Sequence, residues 1–364
     1  MTIKVFIPTY KRLNSLQAVL YSLIKTYSPN VEYRYICYVV NNYPENRFFV
    51  DEIVNKTNTL TDVWLVKAIH RENTIPPIQN WYGAISEYSV DGDIVFLQGD
   101  DDLFLPESIR YRVKTILNEK ADLLLTKHIG GVLFYDNSYD ISIDNFKINS
   151  KSEKLENVYL DRIWSAIFIG NNTYKMSPLL REAFVNAMNW CDEQTWLSYD
   201  QRTLMYPIYI PIALNRLNGK VINSNQDSVI RSMNIDECRR ALWNFPGWNS
   251  GFLHLAFLGI LKNKELVELK VLDKVRELTN NYVALWYWTF FFDPRISKSV
   301  RKETFKRIGK PTFTFKSLID SIVFFTKGVF SEFRIYNWLK GIIKTQKKII
   351  DSESFIDSLY RNEK

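Results

Sequence analysis

The feature that most constrains the fold is the alternation of short apolar runs with amphipathic segments over the first 125 residues. Each run is nearly continuous in apolar character, which is typical of strands buried on both faces of a sheet. The strand-like runs are residues 4–7, 35–40, 63–69, 94–97 and 123–125. Between them, apolar residues recur at helical spacing. The pattern predicts an α/β fold with a mixed, mostly parallel sheet flanked by helices.

The helices between these runs are recognised by the residues that share one face. We expect a short helix over residues 48–54 and a helix opened by Pro106, because proline is favoured in the first turn. The other predicted apolar faces consist of Leu16, Val19, Leu20, Leu23 and Ile24, of Ile78, Trp81, Tyr82 and Ile85, and of Ile109, Val113, Ile116 and Leu117.

The pattern becomes looser after residue 130. A polar, hairpin-like stretch is expected over 132–148, followed by helices over 158–168 and 177–188 and a strand over 220–222. Beyond about residue 235 the chain is helical, aromatic and basic in character. We therefore divide it into a domain of residues 1–235, with halves 1–125 and 126–235, and a C-terminal helical extension over 236–364.

The positive charge of the chain is concentrated near its C-terminus. Residues 294–350 contain fourteen Lys and Arg against three acidic residues, a segment charge of +11, whereas the whole chain has a net charge of +7. A basic segment mixed with aromatic residues is typical of a helix on an anionic membrane surface, and equally of a helical subdomain with solvated lysines. No recognisable DNA- or RNA-binding module accompanies it, so we do not expect nucleic-acid binding.

The remaining composition limits the cellular setting and the kind of metal site. The three cysteines are far apart and odd in number, which favours a reducing compartment, and the three histidines are equally scattered. No signal peptide and no apolar stretch of about 18 residues is recognisable. We expect a cytoplasmic protein, with the inner face of the membrane as an alternative location, and no histidine-rich metal site.

Polar clusters follow three of the predicted strands, at residues 8–11, 41–42 and 99–102. Ligands of open parallel sheets bind outside the carboxyl ends of the strands, so these clusters should meet at one edge. Asp100, Asp101 and Asp102 together create a negative field that a cation would relieve. Oxygen ligands favour Mg²⁺ or Mn²⁺, and Mg²⁺ is usually held by one or two carboxylates and substrate phosphates. A phosphate-bearing substrate is therefore expected.

These motifs, in this order, resemble the family 2 glycosyltransferases of the GT-A (Rossmann-like) fold. "VFIPTYKR" is similar to the opening strand and Pro-Thr-Tyr-Asn-Arg type loop of that family. "ENTIPPIQNWYGAI" followed by "GDIVFLQGDDDLFLP" resembles the subgroup with an Asn-Trp helix ahead of the Asp-x-Asp strand. The resemblance covers residues 1–125 well and 165–235 loosely.

The resemblance implies a nucleotide-diphosphosugar donor at this edge of the sheet. Asp100 and Asp102 would hold the divalent cation, Mn²⁺ or Mg²⁺, which would neutralise charge on the departing nucleoside diphosphate. Asp101 would contact the ribose or the sugar. The other implied nucleotide-sugar contacts are Pro8, Thr9, Tyr10, Arg12, Asn41, Asn80 and Arg231. For Tyr10, a buried ring with a satisfied hydroxyl is the alternative.

One position departs from the family. Members commonly have an aspartate after the second strand that accepts the uracil N3–H, and here the residue is Asn41. An amide can accept through its oxygen or donate through its nitrogen. The donor could therefore be a UDP- or dTDP-sugar, and a CDP-sugar becomes a further hypothesis.

The second half should supply the acceptor site and a general base. Asp200 in "WLSYDQRTLMYPI" corresponds to the family's base, with Asp192 and Glu193 as competing candidates and a helix N-cap as the alternative role. "FIGNNTYKM" resembles the acceptor strand, and "SVIRSMN" resembles a closing element that usually contains a histidine. Met233 occupies that position, so a third metal ligand is not expected there.

Taken together, the sequence indicates an inverting, metal-dependent transferase of hexosyl or deoxyhexosyl groups. Its acceptor would be a glycan or lipid-linked glycan, as in the synthesis of a bacterial surface polysaccharide such as O-antigen, with peripheral membrane contact through residues 294–350. Three alternatives remain: a sugar transferase acting on polyprenyl phosphate, a non-catalytic nucleotide- or glycan-binding protein on the same fold, and a basic membrane-associated scaffold.

Overall fold

Four parallel strands form the N-terminal part of the sheet in the computed structural model. The structure describes residues 1–26, 32–135, 138–140, 152–154, 166, 169–195, 199–234, 315, 319 and 349–361. The four strands are β1 (Thr2–Thr9), β2 (Arg34–Asn41), β3 (Trp64–His70) and β4 (Ile94–Leu97). They lie in the order β3-β2-β1-β4. All four were predicted from their apolar runs.

Helices cover both faces of this part of the sheet. They are α1 (Leu13–Lys25), α2 (Arg47–Asn58), α3 (Pro77–Tyr88) and α4 (Ser108–Asn118). On β1, Val5 and Ile7 pack with residues of α1 and α4, whereas Phe6 packs on the other face with residues of α3. Burial on both faces explains why these strands read as continuous apolar runs. Pro106 lies just before α4 rather than in its first turn.

Beyond β4, the described residues form seven shorter or more irregular strands and two long helices. They are β5 (Leu103–Phe104), β6 (Leu123–Tyr135), β7 (Ser138–Asp140), β8 (Ser152–Lys154), β9 (Asn172–Lys175), α5 (Pro178–Glu193), α6 (Tyr199–Arg216), β10 (Val221–Asn234) and β11 (Ile349–Asp351). β9 lies antiparallel between β4 and β6, and β10 runs parallel to β6. The longest pairings are thus parallel. The predicted helix over 158–168 lies almost entirely outside the described residues.

The end of the chain returns to the N-terminal half. A C-terminal helix, α7 (Ser352–Arg361), packs on α1, and its Phe355 and Ile356 are fully buried in the core. The Tyr360 hydroxyl donates to the Ser22 carbonyl at 2.9 Å, and Asp357 lies 3.1 Å from Lys25 Nζ. Residues 349–361 belong to the segment predicted as a C-terminal extension, and Phe355 and Ile356 pack in the core of the N-terminal half.

The remainder of the extension lies outside the described residues, including nearly all of the basic segment 294–350. Of that segment the structure describes Phe315, Ile319 and the first residues of β11. Among the helices that the structure describes, none combines the length and apolar character needed to cross a bilayer.

Candidate active site

The carboxyl ends of β1, β2 and β4 bring the three polar clusters to one edge of the sheet. Thr9 pairs with Asn41 in the register of β1 and β2, and the Asn42 amide donates to the Thr9 carbonyl at 3.0 Å. The Tyr10 amide points at Oδ2 of Asp100, 3.4 Å away. The prediction that these clusters meet is confirmed, because parallel strands end on the same side.

Asp100 is directed into the protein. Its carboxylate contacts the Tyr10 amide through Oδ2 and Nη1 of Arg12 through Oδ1, at 3.3 Å. Burial, with repulsion from Asp101 second, raises the pKa of Asp100 to about 7, and the positive charge of Arg12 opposes the rise. Both oxygens of this carboxylate therefore face protein groups, so Asp100 is a connection between two loops of the site.

Asp101 is paired with Arg12 and also experiences the charge of Arg231. Nη1 of Arg12 is 2.6 Å from its Oδ2. Burial raises the pKa of Asp101, whereas the charges of Arg12 and Arg231 act to lower it, which places Arg231 within electrostatic reach of the aspartates. Two predicted donor-binding residues, Arg12 and Arg231, thus both act electrostatically on Asp101.

The carboxylates of Asp101 and Asp102 converge above Gly99. A Cβ atom added at Gly99 would lie 3.1 Å from Oδ1 of Asp101 and 3.1 Å from Oδ2 of Asp102. Asp102 is half-buried, and its carbonyl accepts a hydrogen bond from Nε2 of Gln98 at 2.8 Å. The glycine leaves a space bordered by two carboxylates, one of which belongs to a residue predicted as a metal ligand.

Asn41 occupies the predicted place but its side chain is fully buried. Its Oδ1 accepts from the Tyr43 amide at 3.1 Å, and its Nδ2 donates to Nδ1 of His70 at 3.2 Å. His70 in turn reaches Oδ1 of Asp51 through Nε2 at 2.8 Å, which requires the proton on Nε2. The amide oxygen and nitrogen of Asn41 thus both have partners within the protein.

Asn80, another predicted donor contact, is also buried. Its Oδ1 accepts from Nε of Arg71 at 3.1 Å, and the Arg71 amide donates to the Asn41 carbonyl at 3.0 Å. Asn80 therefore holds Arg71 at the end of β3. No sequence pattern singles out Arg71 or His70, because their importance depends on contacts made by residues of other elements.

An aromatic group lies at the outer side of the β1 and β2 ends. Tyr10 is 47% exposed, and its ring meets that of Tyr43 edge-on, with centroids 5.4 Å apart. Nζ of Lys11 lies 4.3 Å from the Tyr43 centroid, and Lys11 has a left-handed backbone with φ of 63°. The alternative of a buried Tyr10 ring is wrong. Pro8 and Thr9, in contrast, are buried within β1.

The acceptor-side candidates are only partly described. Asp200 lies in the first turn of α6, and its side chain is outside the described set; Asp192 and Glu193 are exposed at the end of α5. Met233 lies in β10, and its side chain is likewise not described. The sequence motif around residue 170 forms the turn Ile169–Asn171 and β9.

His128 was missed by the sequence reasoning, because a single histidine in a strand carries no pattern. It lies on β6, and its Nδ1 accepts from Nδ2 of Asn171 at 3.1 Å. Burial, and then the positive charge of Arg231, lowers the pKa of His128 to about 4. A neutral imidazole therefore borders the turn Ile169–Asn171 at neutral pH.

Within the described ranges, no group of three or more His, Cys, Asp or Glu side chains is arranged to hold a metal ion. Cys37 and Cys191 are buried free thiols, and Cys238 is outside these ranges. Any cation at the aspartates would thus depend on two carboxylates and on ligands from substrate or water.

The sequence matches no protein-family model and no curated protein. The fold is similar to that of S. aureus TarS 1–349 in complex with UDP, with a TM-score of 0.50 and 15% identity over 83% of this chain and 78% of that one. The same fragment with UDP-GlcNAc gives a TM-score of 0.44 and 13% identity over 84% and 92% of the two chains.

A third similar structure is a mannosyltransferase from Pyrobaculum calidifontis in complex with GDP-Man and Mn²⁺. Its TM-score is 0.47, with 7% identity over 99% of this chain and 86% of that one. At such identities the similarity to TarS establishes the fold alone. The predicted α/β fold class, with a mostly parallel sheet flanked by helices, is confirmed.

Proposed function

We propose that this protein is a glycosyltransferase that takes its sugar from a nucleotide-diphosphosugar. The observation that supports this most directly is the convergence of the Asp101 and Asp102 carboxylates above Gly99, where Arg12 contacts Asp101 and the charge of Arg231 also acts on it. Carboxylates for a cation and arginines for a diphosphate are the two groups that such a donor requires. TarS, which has the same fold, was crystallised with UDP.

The donor would lie along the edge formed by β1, β2 and β4. The exposed Tyr10 ring, supported by Tyr43, offers a face on which a nucleobase can stack. Pro8 and Thr9, buried at the end of β1, would border the donor from within the strand, and Arg12 and Arg231 would face the diphosphate. Asn41 and Asn80 would contribute indirectly, because their buried side chains hold the residues at the ends of β2 and β3 that border the donor. A UDP-, dTDP- or CDP-sugar carrying a hexosyl or deoxyhexosyl group is the proposed donor class.

The residues at the aspartate loop fit Mn²⁺ or Mg²⁺. Asp101 and Asp102 provide hard oxygen ligands on either side of an open position, whereas Asp100 is turned away towards Arg12 and Tyr10. The proposal therefore keeps Asp102 as a ligand and replaces Asp100 by Asp101 as the second one. When bound, the cation would neutralise the negative charge that accumulates on the departing nucleoside diphosphate.

For the acceptor we propose a glycan or lipid-linked glycan, as in the synthesis of a bacterial surface polysaccharide. Transfer with inversion requires a carboxylate to take the proton of the attacking hydroxyl. Asp200, in the first turn of α6, remains the proposed base because its sequence context resembles that of the family's base, and Asp192 and Glu193, exposed at the end of α5, are the competing candidates.

The experiment is a thermal-shift screen of the full chain against UDP, dTDP, CDP and GDP with Mn²⁺, followed by turnover of the matching sugar nucleotides. A ligand that binds the native state at about 100 times its Kd stabilises it by about 2.7 kcal/mol. Asp102→Asn should abolish the Mn²⁺-dependent part of the shift. Asp91→Asn is the matched control, because Asp91 forms a surface ion pair with Arg181.

The outcomes separate the competing functions. Stabilisation by a nucleoside diphosphate without turnover of any sugar nucleotide would favour a non-catalytic binding protein. Transfer to polyprenyl phosphate, giving a lipid monophosphosugar, would identify the alternative transferase. If no nucleotide stabilises the wild type with Mn²⁺ or Mg²⁺, the proposed function is wrong.

A further inference from the structure

We propose that Gln98 is a positioning residue that sets the location of Asp102 and ties it to the acceptor-side turn Ile169–Asn171. This inference rests on the proposed function, since it assigns Asp102 to the donor cation. Gln98 follows β4 directly, and its backbone amide continues the sheet by donating to the Phe6 carbonyl at 2.9 Å. Its backbone is therefore fixed by the core of the sheet.

The side chain of Gln98 closes the aspartate loop. It is fully buried, and its Nε2 donates to the carbonyl of Asp102, four residues later, at 2.8 Å. This bond spans the loop from its first residue to the residue whose carboxylate faces Gly99. The side-chain amide of Gln98 thus holds the Asp102 backbone. Because aspartate is a short side chain, the position of that backbone determines where the Asp102 carboxylate can reach.

Only one of the two possible orientations of the Gln98 side-chain amide fits its surroundings. Turning it over would place the Gln98 oxygen against the Asp102 carbonyl, so that two acceptors would face each other. The oxygen must instead face Gly170, where an added Cβ would lie 3.0 Å from Oε1. Among the described residues, Oε1 has no hydrogen-bond partner. A buried acceptor without a partner lowers stability, which suggests that the donor end of the amide is what the site requires.

The turn on the other side of Gln98 is itself anchored. The Thr126 hydroxyl donates to the Asn171 carbonyl at 3.1 Å, and Nδ2 of Asn171 donates to Nδ1 of His128 at 3.1 Å. Gln98 is thus held between a turn fixed to β6 and the aspartate loop. A displacement on the Gly170 side is transmitted through the amide to Asp102, although residues 98 and 170 are far apart in sequence.

Two substitutions test this link from its two ends. Gln98→Met keeps the length of the side chain and removes both the hydrogen bond to Asp102 and the unpartnered acceptor. Gly170→Ala keeps the Gln98 residue unchanged but adds a methyl group that pushes against its side-chain amide. Gly83→Ala is the control, because an added Cβ at Gly83 meets no atom within 4 Å. The full chain is used throughout.

The readouts are the melting temperature and the affinity for Mn²⁺. Binding of Mn²⁺ is followed by electron paramagnetic resonance, with the metal alone and with UDP, dTDP or CDP. In both test variants we expect a Kd for Mn²⁺ raised by about tenfold or more, the effect typical of outer-shell partners. Gln98→Met should retain the melting temperature of the wild type, and Gly83→Ala should retain both properties.

Wild-type Mn²⁺ affinity in both test variants would overturn the inference and leave the proposed function intact. So would a loss of affinity that only follows a fall in melting temperature, since that result indicates a structural role. If the wild type binds Mn²⁺ neither alone nor with any of the three nucleotides, the proposed function fails, and the inference fails with it.

Discussion

Nη1 of Arg12 lies 2.6 Å from Oδ2 of Asp101, and the same nitrogen is 3.3 Å from Oδ1 of Asp100. One guanidinium thus serves two adjacent carboxylates, which would otherwise repel each other at the end of β4. Its side chain is about one-third exposed, so solvent weakens this attraction relative to a fully buried pair.

Arg12→Met removes the guanidinium and leaves the carboxylates of Asp100 and Asp101 without its positive charge. We expect the free energy of unfolding to fall by about 1–3 kcal/mol, less than for a fully buried pair because Arg12 is partly exposed. Arg12→Lys, which keeps the positive charge, should reduce the free energy of unfolding by a smaller amount. Urea unfolding at pH 7.5 measures both. Equal stability of the two variants and the wild type would contradict the role of Arg12 as counter-ion.

Gly99→Ala places a methyl group 3.1 Å from both the Asp101 and Asp102 carboxylates. The carboxylates must then move apart, and we expect the Kd for Mn²⁺ to rise by about tenfold or more, as when groups that orient metal ligands are changed. Isothermal titration calorimetry with the metal and UDP measures this. An unchanged Mn²⁺ affinity would mean that these two carboxylates do not share a cation.

Asn41→Leu removes the partners of the Tyr43 amide and of Nδ1 of His70. We expect a loss of about 1–3 kcal/mol in the free energy of unfolding, because buried polar groups are left unsatisfied. Asn55→Leu on the exposed side of α2 should change stability by no more than about 0.5 kcal/mol.

The same variant separates the two roles considered for Asn41. If its function is to fix the turn, the relative affinity for UDP and CDP should stay the same in Asn41→Leu. A changed preference between the two nucleotides, at unchanged stability, would restore Asn41 as the residue that reads the base.

Phe355→Ala tests whether the C-terminal helix belongs to the core. Phe355 is fully buried among residues of α1 and the sheet, so the change should cost about 3–5 kcal/mol. Phe48→Ala is the matched control, since Phe48 is 73% exposed, and it should stay within about 0.5 kcal/mol. Thermal unfolding of both variants gives the comparison. Equal stability of the two would show that α7 does not pack on α1.

His128→Gln should reduce the loss of stability in acid. Burial, assisted by Arg231, lowers the pKa of His128 to about 4 in the folded chain, below the usual value of about 6.5 for an unfolded histidine. The unfolded state therefore binds a proton first as the pH falls, so the contribution of His128 to stability is complete above 6.5 and is lost between 6.5 and 4.

The expected difference is on the order of 1–2 kcal/mol, reduced for partial exposure of the ring. It is obtained from urea unfolding of wild type and variant at pH 7 and pH 4.5. Parallel pH profiles of the two proteins would show that His128 is not held neutral in the folded state.

The sequence alone determined the strands, most helices and the edge at which the polar clusters meet. The runs around Phe6, Tyr38 and Phe96 are apolar because both faces of the sheet are covered, and this local pattern needs no tertiary information. The position of the aspartates directly after β4 likewise follows from chain order, because parallel strands end on one side.

Only the tertiary structure decided which way the polar side chains point. Asp100 turns inward because Arg12 and the Tyr10 amide, some 90 residues earlier in the chain, lie on that side of the loop. Asn41 is enclosed because His70, on the neighbouring strand, supplies an acceptor for its amide. Phe355 joins the N-terminal core through contacts with α1. Sequence periodicity predicts whether a residue is buried. The hydrogen-bond partner of a buried polar group, in contrast, depends on which distant residues pack against it.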